Sequence, residues 1–148
     1  MGMVVVIGIG VTLTALVIQG VASGFGVAAV SGLAERRFVG RSLWRNGLAT
    51  LMLISILLAG HMAQLIVWAL VFMATGELED FPVAFYHSGV NYTTLGYGDI
   101  VMSPPWRLLG PQEAVNGTLA FGWSTAVIVT VVIRLARARR GGRPGLLG

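Results

Sequence analysis

Between two long uncharged stretches the chain reads 77-ELEDFPVAFYHSGVNYTTLGYGDIVMSPPWRLLGPQ-112, and this segment decides the fold. It carries an acidic opening, a moderately apolar run, a Gly-rich turn and then Pro104 and Pro105, so it is too broken to cross a bilayer. Phe81 to Tyr92 is long enough for about three helical turns. Asp80 stands at the N-cap and Pro82 in the first turn, where a missing N–H costs nothing. The helix should stop at Thr93-Thr94-Leu95-Gly96-Tyr97-Gly98-Asp99. Glycines at alternate positions there admit positive φ, which lets successive carbonyls point the same way.

The surroundings of this segment are membrane-like. Over 148 residues, 55% are apolar and 11% charged, and the mean hydropathy is +0.81. Residues 3–34, 47–76 and 114–133 contain no charge, and each exceeds or matches the roughly 20 residues that a helix needs to span a bilayer. All ten basic residues are Arg, and nine fall in two clusters: Arg36, Arg37, Arg41 and Arg45, then Arg134, Arg137, Arg139, Arg140 and Arg143. That pattern speaks of topology, not of nucleic acid. Under the positive-inside rule both clusters face the cytoplasm, which puts the N-terminus and residues 77–112 outside. The first stretch lacks a positive n-region and its apolar run is too long for a cleaved signal peptide, so it reads as a span. Zero Cys excludes disulfides and thiolate chemistry, and three spans leave no room for a large soluble enzymatic domain.

Non-helical backbone at membrane depth is tolerated only where it is buried in protein or lines a watery cavity. A short helix followed by an extended return strand is the build of a cation filter, in which rings of carbonyl oxygens replace the ion's water shell; potassium fits that chemistry. The string Thr93-Thr94-Leu95-Gly96-Tyr97-Gly98-Asp99 resembles the potassium-channel signature, and Val115 to Ala126 is similar to the inner helix of two-span bacterial potassium channels. The expected architecture is an all-α membrane protein with three transmembrane helices, a re-entrant pore helix and a filter loop, arranged as a tetrameric pore. Residues 1–46 make an additional first span and a basic loop. Residues 47–140 make the pore domain, with outer helix 47–76, pore helix 81–92, filter 93–99 and inner helix 112–134; residues 141–148 make a short cytoplasmic tail.

The resemblance implies a passive K⁺ channel of four identical chains in the plasma membrane of a bacterium, needing no cofactor besides the permeant ion. It places K⁺ on Thr94, Leu95, Gly96 and Tyr97, with Thr93 and Gly98 completing the filter. Tyr97 and Asp99 brace it from behind. Where many relatives carry two Trp, this chain has Tyr86 and His87, so the bracing is altered: Tyr86 can donate to Asp99 and His87 to Tyr97. His87 is otherwise a pH sensor. Gly117 matches the family's inner-helix hinge, and Gly122 is a second bend candidate. Thr118, Phe121 and Thr125 share one helix face; by resemblance it lines the cavity, with Phe121 either a constriction or a residue packed between helices.

Other polar residues are read from position alone. His61 and Gln64 lie one turn apart in the second span, and Glu113 and Asn116 repeat that spacing in the third. Interhelical hydrogen bonding is the commoner role of such residues, while Glu113 either braces the filter or adds negative field at the mouth. Glu77, Glu79 and Asp80 form an outer acidic cluster that attracts cations or merely caps a helix. The Arg clusters suit anionic lipid headgroups. Trp44 and Trp106 are interface anchors or ordinary packing, and Gly20 with Gly24 has the spacing that permits close helix contact. Rival readings are a nonselective cation channel, an accessory channel subunit and, remotely, an intramembrane serine hydrolase built from His61, His87, Ser88 and Ser124.

Overall fold

A computed structural model describes residues 2–36, 38–39 and 42–141. Four helices follow one another: α1 (Gly2–Glu35), α2 (Leu43–Ala74), α3 (Phe81–Tyr92) and α4 (Leu109–Gly141), with no strand among the described residues. Three of them, α1, α2 and α4, are long and apolar enough to cross a membrane. The protein is therefore an all-α integral membrane protein. The expected tail lies outside the described residues except for Gly141, as do Arg37, Arg41 and Arg143.

The helices extend past the uncharged stretches because charge marks the bilayer edge and not the end of helical propensity. α2 starts at Leu43 rather than 47, carrying Arg45 in its first turn, and closes at Ala74 rather than 76. Gly76, at φ 81, takes the left-handed conformation that ends a helix, and its N–H donates to the Met73 carbonyl at 2.9 Å. α4 starts at Leu109 rather than 112, because Pro111 occupies its first turn, where no N–H is needed. It continues beyond 134 through Arg and Ala residues of high helix propensity. α3 covers residues 81–92; Asp80 is its N-cap, although the carboxylate makes no capping bond.

The chain divides into two compact units, Met1–Gly20 with Gly60–Gly122, and Val21–Ala59 with Trp123–Gly148. In the second unit Val30, Val39, Ala49, Leu53, Leu57, Val131 and Leu135 form the core, and Gly26 gives way to the Leu53 side chain, which a Cβ would meet at 2.6 Å. The Arg45 guanidinium lies over the Phe38 ring at 5.1 Å, a cation–π contact beside the helix-to-helix turn. Trp44 is 75% exposed.

The first unit holds the segment from which the fold was read. Val4, Trp68, Phe72, Met102 and Leu109 form one apolar cluster, and the half-buried Trp106 packs against it. Leu65, Tyr92 and Ala120 form another. The helix α1 contributes a stripe at helical spacing in this unit: Val4, Gly8, Ala15 and Gln19 are buried. The glycines that allow close approach are not the expected pair. Gly20 and Gly24 have no neighbour within 4 Å where a Cβ would stand, whereas Gly8 receives the Gln112 side chain. Gly20 and Gly24 satisfy the spacing but lie off the buried stripe.

Gly117 is the tightest backbone contact in this unit. A Cβ there would stand 1.9 Å from the carbonyl oxygen of Tyr92, the last residue of α3. Gly117→Ala is accordingly expected to lower the unfolding free energy of the purified protein by about 1–3 kcal/mol, as overpacking does. Gly122→Ala, with open space around it, should leave stability unchanged or raise it by a few tenths to ~1 kcal/mol through helix propensity. Equal effects of the two substitutions in chemical unfolding would contradict this packing.

Candidate functional site

The loop 93–99 departs from α3 in a backbone conformation that few sequences adopt. Thr94 (φ 60), Gly96 (φ 61) and Gly98 (φ 73) are left-handed, while Leu95 and Tyr97 between them are not. Alternation of hand turns successive peptide planes so that their carbonyls can share one side. Glycine adopts this conformation without penalty; Thr94 is β-branched and is the only non-Gly residue at positive φ among the described residues. Such a conformation costs of order 1–3 kcal/mol and persists only where surrounding bonds enforce it.

Those bonds come from the end of α3, whose last carbonyls have no partner within the helix. Thr93 N–H donates to Gly89 O (3.1 Å), Thr94 N–H to Asn91 O (2.9 Å), and Leu95 N–H and Gly96 N–H to Val90 O (3.0 and 3.3 Å). The Thr93 hydroxyl adds a bond to Gly89 O at 2.7 Å. The N–H groups at the start of the loop are thus spent on α3. The side chains of 93–99 are exposed on the single chain, Tyr97 at 67%.

Beyond the turn, Asp99 is tied back to α3. Its Oδ2 accepts from the Tyr86 hydroxyl at 2.6 Å, and its Oδ1 from the Ile100 N–H at 3.1 Å. The Tyr86 bond is the main reason that the Asp99 carboxyl lies below its ordinary value of 3.8, and it raises the Tyr86 hydroxyl above 10.0. His87 does not reach Tyr97. Its Nε2 takes a hydrogen bond from the Asn91 amide at 3.0 Å, and its ring stands edge-on to Phe72, with centroids 4.7 Å apart. Burial lowers the His87 pKa below 6.5, which favours the neutral ring whose Nε2 can accept. Adjacent residues of a helix face different ways, so within the single chain Tyr86 takes Asp99 while His87 turns to Asn91 and Phe72.

Of the other expected site residues, Glu113 packs directly on α3. Glu113 is fully buried, and its Oε1 lies 2.5 Å from the Ser88 hydroxyl, which also stands 3.0 Å from the Leu65 carbonyl. Glu113 therefore holds the back of α3 and does not face the mouth. Phe121 packs its ring on His61 and Tyr92, at centroid distances of 4.9 and 5.3 Å, while 41% of its surface stays exposed. Thr118 is exposed and bonded to the Ala114 carbonyl; in the second unit Thr125 is exposed. Glu77 is engaged: it accepts from the Ser103 N–H at 2.7 Å and from the Ser103 hydroxyl, pinning the return to α4. Glu79 and Asp80 are exposed. The Ser-His pair of a hydrolase does not form at 87 and 88, since the two side chains have separate partners.

Tyr92 was not singled out from sequence, yet it is central. It is 1% exposed, hydrogen-bonds His61 Nδ1 at 2.7 Å and presents its carbonyl to Gly117. Its only sequence signal was its place at the last turn before the glycines. Asn91, which serves His87, gave no signal.

A helix that stops short, a loop of alternating hand tethered by its amides, and a returning helix packed on the same short helix define a pore-loop protein. Residues 51–134 match the family model described as an ion channel, and the chain belongs to that family, of the two-span potassium-channel type. The match covers α3 and the loop together with most of α2 and α4; α1 lies outside it. No solved structure matches the chain.

Replacing Tyr86 by Phe should raise the titration midpoint of Asp99 toward 3.8, followed by ¹³C carboxyl NMR. A carboxyl whose native pKa lies below its unfolded value stabilises the fold above the unfolded value and loses that contribution as pH falls through the native one. The Tyr86–Asp99 tie should accordingly persist at neutral pH and fail only below 3.8. A midpoint that does not move in Tyr86→Phe would remove Tyr86 as the cause.

Proposed function

We propose that the protein is a potassium-selective channel in which four identical chains bring four copies of loop 93–99 around one axis. The observation that carries this reading is the alternation of left-handed φ at Thr94, Gly96 and Gly98, combined with amides bonded to α3. With the amides of Thr93 to Gly96 so engaged, the carbonyls of Thr94, Leu95, Gly96 and Tyr97 are available to replace an ion's hydration shell, together with the Thr94 hydroxyl. One chain supplies one strand of such a ring, so closure takes several copies, and the exposure of the loop on the single chain fits that need. Leu95 coordinates through its carbonyl, so its side chain need only pack.

α3 adds field to geometry. A helix C-terminus carries a partial negative charge of about half an electron, and four copies ending at the loop favour a cation there. Glu79 and Asp80, exposed before α3, would raise the local cation concentration at the same mouth. By the positive-inside rule the Arg clusters favour a cytoplasmic side, against anionic headgroups, for residues 36–45 and the end of α4, and an outer side for the loop.

The decisive measurement is flux in liposomes under K⁺ and Na⁺ gradients. Passive flux that favours K⁺ is expected. Equal flux of both ions would favour a nonselective channel, and none an accessory subunit. Gly96→Ala is expected to abolish K⁺ flux while leaving the oligomer intact, because a Cβ is disfavoured at φ 61; undiminished selective flux in that variant would remove the filter assignment. Orientation is tested separately, by cysteines placed at Gly2, Ser42 and Glu79 in this Cys-free chain. An impermeant thiol reagent on intact cells should label positions 2 and 79 and spare 42; labelling at 42 with protection at 79 would invert the arrangement.

A further inference from the structure

The family match leaves α1 unaccounted for, yet α1 enters the first unit through contacts that ordinary lipid-facing helices do not make. Gln19, Gln64 and Asn116 are each 0% exposed and form a relay. Asn116 Nδ2 donates to Gln64 Oε1 at 3.1 Å, and Gln64 Nε2 donates to Gln19 Oε1 at 2.7 Å. A further bond from Gln64 Nε2 to the Gly60 carbonyl, at 3.3 Å, fixes the rotamer of the middle amide. Three amides on three helices are thus linked donor to acceptor in one direction. Each is expensive to bury unless bonded, so the relay specifies the register of α1 against α2 and α4 in this unit. A second contact does the same by shape, since the Gln112 side chain occupies the space that a Cβ at Gly8 would need, with Oε1 1.2 Å from that position.

The relay ends beside the root of the proposed filter. Asn116 directly precedes Gly117, and Gly117 packs on the carbonyl of Tyr92, one residue before the loop and two before Thr94. Tyr92 is itself held from α2 by His61, through the bond to Nδ1. A displacement of α4 at 116–117 therefore moves the root of the loop, and α1 is bonded to that point through Gln64.

We propose that α1 is a brace for the conducting pore, with Gln19 a positioning residue that acts through Gln64 and Asn116 to hold α4 at Gly117 and so the root of loop 93–99. The inference rests on the channel reading above, and adds to it a role for the one helix outside the family match.

The test uses the full-length chain and two independent arms. The first arm is docking. Gly8→Cys with Gln112→Cys in the Cys-free chain should form a disulfide within one chain on mild oxidation. Met52, Met62, Met73 and Met102 lie between the two positions, so after cleavage at methionine the fragments that carry positions 8 and 112 stay joined only if that bond has formed. The second arm is coupling, read by single-channel recording in symmetric K⁺. Gln19→Leu should change the open-to-closed ratio about three- to tenfold, as expected for loss of one interhelical hydrogen bond in a membrane, with the K⁺/Na⁺ permeability ratio unchanged. In a Gln64→Leu background, where the relay is already cut, the same substitution should have no further effect.

An additive effect of Gln19→Leu in that background, or no effect in the wild-type background, would overturn the coupling, since a merely structural contact need not pass through Gln64. Failure of the disulfide would overturn the docking. Formation of the disulfide in the double-Cys variant, together with no K⁺ flux through the wild-type protein, would overturn the channel reading and the coupling with it, leaving α1 docked in a protein of another kind.

Discussion

Everything distinctive in this molecule depends on how the first four residues of a seven-residue loop satisfy their amides. The N–H groups of Thr93 to Gly96 find the terminal carbonyls of α3, each side supplying what the other lacks. This exchange holds Thr94 in a conformation that its β-branched side chain resists, and it frees the carbonyls that follow. A helix ending elsewhere, or a loop whose amides bonded to water, would not keep that alternation. The short helix is thus a cap for the loop as much as a source of field.

Around this exchange the polar residues act as fasteners for α3 and its neighbours, and few of them face the loop. Ser88 and Glu113 hold its back, Tyr86 and Asp99 hold its flank, Tyr92 and His61 hold its end, and Glu77 with Ser103 secures the return. In a lipid environment this is the expected division of labour. Apolar side chains gain nothing by choosing helix over lipid, so buried amides, carboxyls and close backbone contacts decide how helices meet. Gly8 and Gly117, which admit Gln112 and the Tyr92 carbonyl respectively, belong to the same set of devices.

The site pays for its altered bracing in one place. With Tyr86 and His87 in successive positions, one faces the loop and the other turns to Asn91 and Phe72. Asp99 keeps a donor on α3, while Tyr97 is left exposed on the single chain. In the tetramer proposed here, Tyr97 would have to find its partner across a subunit boundary or among waters behind the loop.

The linear sequence determined the class of fold, since three uncharged stretches and the Gly-rich string between the last two need no tertiary information to be read. It also determined α3, where Pro82 and the glycines bound a helix of 12 residues. Helix ends escaped it, because Arg45 and Pro111 sit comfortably inside first turns. The inward face of α1 escaped it too: Val4, Gly8, Ala15 and Gln19 are buried while Val6, Leu13 and Val17 point outward, a pattern without hydrophobic contrast because the solvent is itself apolar. Gly20 and Gly24 therefore suggested a contact that Gly8 makes instead. Gln64 and Asn116 were legible as intramembrane amides, but their common partner chain through Gln19 was not, because residues 45 and 52 positions apart are brought together only when the packing of α1 against α2 and α4 sets which faces meet.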